Sequence, residues 1–220
     1  MKNDKEKFKN INKFIFLNLV PRSLCLQKPP RRPWNGKLVN YMNEKSQKIL
    51  ESLKNKKVGV FIDDANLFYA KKKVGWQIDF KKLRILLEQT MQVEYFGYYI
   101  VMPANWDSSY KKSDAYLKKI KETAKVTVKI KPLKYIKAGS ALIKKGDVDL
   151  EIAVDVMRNL EKVDAIIIVS GDSDYIELRD FLLEQSKQII FFAFRENIAW
   201  EIRKKKFVFL NDLKNDIKLE

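Results

Sequence analysis

The chain has 220 residues and is 46% hydrophobic, enough for one well-packed domain with a tail and too little for two full domains. Its 44 Lys and Arg against 28 Asp and Glu give a net charge of +16, a field that attracts polyanions such as nucleic acid or an anionic membrane surface. With no histidine and a single cysteine, Cys25, the sequence excludes Ser-His-Asp and Cys-His hydrolysis, imidazole acid/base catalysis, histidine-ligated zinc, thiolate clusters and intramolecular disulfides.

The lone cysteine fits a reducing cytoplasm, and no apolar run approaches the ~20 residues that span a bilayer, so the expectation is a cytoplasmic protein without a membrane partner. Thirteen of the Lys and Arg but only four of the Asp and Glu fall in the first 55 residues, which leaves a net of +7 for the rest. Residues 1–41 are therefore read as a basic extension, disordered or not translated, since Met42 opens a different texture and serves as a start. A leading helix is expected over 42–56, the main domain over 57–213 and a tail over 214–220.

From Lys57 onward, short apolar runs alternate with amphipathic stretches of helical period. Strands are predicted over 58–62, 93–101, 127–133, 165–169, 188–194 and 207–210. Helices are predicted near 79–88, 108–123, 148–160, 175–184 and 198–204. Continuous apolar strands such as Ile166-Ile167-Ile168-Val169 suit a parallel sheet covered on both faces, so the expected fold is a three-layer α/β/α sandwich with a mainly parallel sheet.

In such sheets function gathers beyond the carboxyl ends of the strands. Acidic residues sit there: Asp63-Asp64-Ala65-Asn66 after the first strand, and Ser170-Gly171-Asp172-Ser173-Asp174 after the fourth. Between them, Lys144-Lys145-Gly146-Asp147-Val148-Asp149 opens a helix that continues through Asp155. Carboxylates alone can hold Mg²⁺ or Mn²⁺, which activates water and neutralises charge on a phosphodiester. Singly, Asp149, Asp172 or Asp174 reads better as a helix cap than as a ligand. Asp63 is harder to dismiss, because a charge ending an apolar strand costs free energy unless it is paired or metal-bound.

Phe61-Ile62-Asp63-Asp64-Ala65-Asn66-Leu67 resembles the opening motif of the NYN domain, in its LabA-like branch. Lys145-Gly146-Asp147-Val148-Asp149 with Ala153-Val154-Asp155, and Val169-Ser170-Gly171-Asp172-Ser173-Asp174-Tyr175, resemble the family's later motifs in the same order. The likeness covers roughly residues 57–213. It implies a fold of the PIN-like nuclease superfamily and a metal-dependent ribonuclease using Mg²⁺ or Mn²⁺. Carried over position by position, Asp63, Asp149, Asp172 and Asp174 are the implied catalytic and metal-site residues, with Asn66 hydrogen-bonding among them and Ser170 in support. Asp155 sits six residues beyond Asp149, on another face of the helix, and reads as a capping or supporting residue. Asp64 stands where the family often has Gly or Asn and is a supporting candidate whose added charge either strengthens the metal site or faces solvent, and Tyr175 stands where Phe is usual.

RNA is the expected partner. Lys111 with Lys118 and Lys112 with Lys119 share nearly one face of the 108–123 helix, and Lys144 and Lys145 lie a few residues from Asp149. Tyr69, Trp76, Trp106 and Tyr110 are candidates for base stacking or for core packing. A response-regulator receiver would need an Asp ending the third strand, and a haloacid-dehalogenase-type phosphatase would need Asp at position 65. Both are absent. The rival reading is a catalytically silent RNA- or protein-binding module of the same fold, and a homo-oligomer or protein partner is compatible with either.

Overall fold

The computed structural model describes residues 44–139 and 141–220. Its strands are β1 (Lys57–Asp63), β2 (Gln92–Met102), β3 (Thr127–Pro132), β4 (Lys134–Ala138), β5 (Ala141–Lys145), β6 (Ala165–Val169), β7 (Gln188–Ala193) and β8 (Phe207–Phe209). Six of them form one all-parallel sheet in the order β3-β2-β1-β6-β7-β8, while β4 and β5 pair separately as an antiparallel hairpin. The helices are α1 (Glu44–Glu51), α2 (Asp64–Val74), α3 (Phe80–Glu88), α4 (Tyr110–Thr123), α5 (Asp149–Asn159), α6 (Ile176–Glu184), α7 (Trp200–Arg203) and α8 (Lys214–Ile217).

Every residue of β6 is buried, and Ile166, Ile167 and Ile168 are fully so, each contributing roughly 2 kcal/mol of transfer free energy. Successive side chains on β2 go to opposite faces. Tyr98 meets Phe80 of α3 on one face, whereas Tyr99 joins Phe61, Ile166, Ile168 and the α5 residues Val148, Ile152 and Val156 on the other. Helices α2, α3 and α4 pack on the Tyr98 side and α5 and α6 on the other, so the sheet is the middle of three layers, as expected.

The chain leaves β1 for β2 and β3 on one side, then crosses to β6, β7 and β8 on the other. This reversal opens a crevice at the carboxyl ends of β1 and β6, where Ile62 pairs with Val169 and the next residues are Asp63 and Ser170.

Three stretches of regular structure escaped the sequence reading. Residues 64–74, read as a strand-end loop, form α2, so Tyr69 lies on a helix. It was hidden because only Leu67 and Ala70 are buried along it, with Phe68 and Tyr69 exposed, which leaves no apolar stripe. The stretch before Gly146 forms the β4–β5 hairpin, every β5 residue of which is exposed. The segment read as a tail contains α8, whose Ile217 is fully buried, and Lys218 bridges to Ile78. Trp76 is a core residue packed on Phe194. The expectations for residues 1–41, and Cys25 with them, fall outside the described residues.

Candidate active site

Asp63 ends β1 and is 3% exposed. It also caps α2: its Oδ1 accepts the Asn66 N–H at 3.1 Å. Its other oxygen accepts from the Ser170 hydroxyl at 3.1 Å and, more loosely, from the Tyr175 hydroxyl at 3.4 Å. Burial, with the charges of Asp149 and Asp64 against it, outweighs these donors and raises the Asp63 carboxyl to about 6.

Asp149 opens α5 without capping it, in a first turn whose free N–H groups favour negative charge. Burial raises its carboxyl, Tyr175 opposes that by hydrogen bonding, and the like charges of Asp172, Asp147 and Asp174 add to the rise. Tyr175, 1% exposed, thus offers its hydroxyl to both Asp63 and Asp149, and burial together with those two carboxylates pushes its own ionisation far up, so the phenol stays neutral. Asp172 is partly buried, its Oδ1 accepting the Asp174 N–H at 3.1 Å as cap of the following short turn. Asp174 itself is exposed at the rim. Asp149 is therefore the link among the four: it lies within electrostatic reach of Asp63 on one side and of Asp172 and Asp174 on the other.

The crevice is braced from the far strands. Gly171 N–H donates to Asn66 Oδ1 at 3.0 Å, Asn197 Nδ2 donates to the Asn66 carbonyl at 3.2 Å, and Ala199 N–H donates to the Gly171 carbonyl at 2.8 Å. Asn66 is thus a brace between loops. Asn197 was not anticipated, since no motif surrounds it. A Cβ at Gly171 would lie 2.2 Å from the Asn197 carbonyl oxygen and 2.8 Å from Ile198 Cα, both backbone atoms that cannot rotate away. Gly171→Ala is therefore expected to destabilise the fold by about 3 kcal/mol, measured as a fall in the urea midpoint.

Asp64 and Asp155 do not join this group. Asp64 turns to the opposite face of the sheet, where it accepts from the Tyr98 hydroxyl. Burial raises it to about 6, against the opposing effects of Tyr98 and Lys71. Asp155 is buried in α5 among Tyr99 (2.9 Å), Arg158 (3.0 Å) and Lys129 (3.4 Å). Burial alone would raise its carboxyl, but those three groups outweigh it and hold it below the usual range. Both acids are structural pairs in separate pockets, a distinction that depends on which face each side chain takes.

Of the lysines singled out, Lys144 forms an ion pair with Asp107 at 2.6 Å and Lys118 with Asp114 at 3.0 Å, one helical turn away. Lys145 is exposed. Lys111 lies near the start of α4, and Lys118 is ~10 Å further along it, away from the carboxyl edge of the sheet.

The donor chemistry of the crevice suits a hard divalent cation: carboxylate oxygens only, with phenol and hydroxyl groups behind them. Among the described residues, no three such groups are yet gathered closely enough to form a complete ligand set. Ser170, Tyr175 and the turn N–H groups occupy carboxylate oxygens instead, so the acids would have to close upon an ion. No described helix is long and apolar enough to cross a membrane.

Comparison with known proteins agrees with this architecture. The NYN domain model matches residues 57–211. The chain is 25% identical over 168 residues to the low amplitude and bright protein LabA of Synechococcus elongatus, spanning 73% of this chain and 87% of LabA. Its fold is similar to the crystal structure of a protein of unknown function from Vibrio parahaemolyticus, with a TM-score of 0.58 at 22% identity over 75% of this chain and 97% of that one.

Proposed function

Because this chain belongs to the NYN domain family, in its LabA-like branch, we propose that it is a metal-dependent ribonuclease whose carboxylates at the β1/β6 crevice hydrolyse RNA phosphodiester bonds. The observation that carries the reading is Asp63. A carboxylate buried at the end of a central strand and facing Asp149 is costly as a bare charge, and a shared cation relieves that cost.

Asp63, Asp149, Asp172 and Asp174 would hold Mg²⁺ or Mn²⁺, which supplies Lewis-acid activation of water and neutralises charge developing on the phosphate. The remaining work falls to the chain. Tyr175, whose hydroxyl reaches both Asp63 and Asp149, fixes the two relative to each other, and Ser170 orients the second Asp63 oxygen. The brace of Asn66, Gly171 and Asn197 keeps the β1 and β6 ends in register. Asp174, the exposed member of the four, would remain open to solvent beside a bound phosphodiester.

A second reading, a catalytically silent RNA- or protein-binding module, is favoured by two observations: among the described residues the acids are not gathered as a ligand set, and Asp63 and Asp172 also serve as caps. Purified full-length protein with Mg²⁺ or Mn²⁺ is expected to shorten a mixed-sequence single-stranded RNA, and EDTA to stop it. Asp149→Asn or Asp172→Asn is expected to slow cleavage on the order of 10³-fold. The circular dichroism spectrum should not change. Cleavage that survives EDTA or both substitutions overturns the mechanism, and RNA binding without any cleavage by the wild type selects the silent module.

A further inference from the structure

A two-stranded hairpin is marginal in water by itself, and β4–β5 makes no ladder with the main sheet, so other contacts must hold it. They come from the loop after β2. Tyr135 accepts the Ala104 N–H at 2.8 Å and donates to Asp107 Oδ2 at 2.9 Å, Lys144 pairs with the same oxygen at 2.6 Å, and Trp106 packs on Tyr135 with ring centroids 4.4 Å apart. At the base, Gly146 lies so close to β2 that a Cβ would sit 2.4 Å from Val101 Cγ1, and Leu133 N–H bonds the Met102 carbonyl.

The pairing fixes what faces outward. Tyr135 lies opposite Lys144 and Lys137 opposite Leu142, so these four share the face turned to the loop, with Lys137 beyond it near the tip; the alternate pairs Lys134/Lys145 and Ile136/Ile143 share the other face, all four exposed. From residue 123 to 146 the sequence has seven lysines and no Asp or Glu. Lys129, Lys131 and Lys144 are ion-paired, whereas Lys134, Lys137 and Lys145 make no ion pair among the described residues. Because β1 and β2 are parallel, the hairpin stands at the same carboxyl edge as Asp63, with Lys145 four residues before Asp149. Trp106, 64% exposed, adds an aromatic face beside it.

We propose that this hairpin is an arm around which single-stranded RNA wraps, with Lys134 and Lys145 taking backbone phosphates on the outer face, Lys137 taking one near the tip and Trp106 stacking on an unpaired base on the loop side, while Lys144 anchors the arm to Asp107. The proposal rests on the ribonuclease reading and names where the strand is held. Phosphate is the occupant the charge selects: a run of unpaired ammonium groups without acids attracts a polyanion, and an open ring beside them suits bases free of a duplex.

The test is fluorescence anisotropy of a labelled 20-nucleotide single-stranded RNA with the full-length protein in EDTA, titrated across KCl concentration. The wild type is compared with Lys134→Gln/Lys137→Gln/Lys145→Gln and with a charge-matched triple at the amino edge of the sheet, Lys54→Gln/Lys57→Gln/Lys162→Gln. The arm triple is expected to bind roughly tenfold or more weakly near 0.15 M salt, and its salt slope to fall by about 2, near 0.7 for each phosphate no longer neutralised. The amino-edge triple should change affinity less than about twofold. Equal weakening in the two triples, or displacement of the RNA by polyglutamate at equal charge concentration, overturns the arm while leaving the RNA reading intact. Failure of the wild type to bind RNA at all removes the RNA reading and the arm with it.

Discussion

Asp63→Asn is expected to make the metal-free protein more stable at pH 8, by roughly 2 kcal/mol, while abolishing metal-dependent cleavage. The carboxylate is 3% exposed, and burial together with Asp149 raises it from 3.8 to about 6. That rise corresponds to about 3 kcal/mol of cost for the ionised form, from which some is subtracted for weaker hydrogen bonds in the amide. Asn keeps an acceptor for the Asn66 N–H and can donate to the Ser170 oxygen, so the cap survives. Linkage sets the sign: a carboxyl raised on folding favours the folded state below pH 4, loses that contribution as pH climbs through about 6, and imposes its full cost above. The advantage of the variant should therefore shrink towards zero at pH 4.5. Asp64, raised in the same way, adds to the fall of wild-type stability over that window, and Asp155, which is lowered, acts in the opposite direction at more acid pH. Urea midpoints at pH 4.5 and pH 8 check this. A variant equally destabilised at both would mean that Asp63 is a cap and nothing more.

A site that weakens its own fold is usual where charge is stored for chemistry. Here the cost is localised: the braces through Asn66, Gly171 and Asn197 bind the two strand ends whether or not Asp63 is charged. The fold can carry the repulsion because β1 and β6 are buried along almost their whole length.

Those buried strands are also why the architecture was readable. Val60 to Ile62 and Ile166 to Val169 form continuous apolar runs that only a doubly covered sheet accommodates, and helices α3 and α5 carry apolar stripes of helical period. Elements with little to bury were silent. Helix α2 exposes Phe68 and Tyr69 and is set mainly by its Asp63 cap and its place after β1, while the hairpin is held by Asp107, which the sequence does not connect to Lys144 or Tyr135. The motifs that resembled the family pointed to Asp63, Asp149, Asp172 and Asp174, and the structure sets Asp149 within electrostatic reach of the other three. They could not say that Asp64 and Asp155 turn to tyrosines elsewhere, because that depends on the sheet face each side chain takes. The hydroxyl that distinguishes Tyr175 from the family's usual Phe looks conservative in sequence. Its use emerges only once Asp63 and Asp149 are brought beside it.

The claim that these carboxylates share a cation is met most directly by melting the full-length protein with and without Mn²⁺. At a concentration one hundred times the dissociation constant, a ligand held only by the folded state adds about 2.7 kcal/mol, which in a domain of this size raises Tm by about 5–10 °C. The increment should fade below about pH 6, where protons compete for Asp63. Asp149→Asn and Asp172→Asn should remove it, whereas Asp155→Asn, altering a carboxylate in the separate tyrosine pocket, should lower Tm yet keep the increment. A wild-type Tm unmoved by millimolar Mn²⁺, or a rise that persists unchanged in the Asp149 and Asp172 variants, would contradict a shared metal site at the β1/β6 crevice.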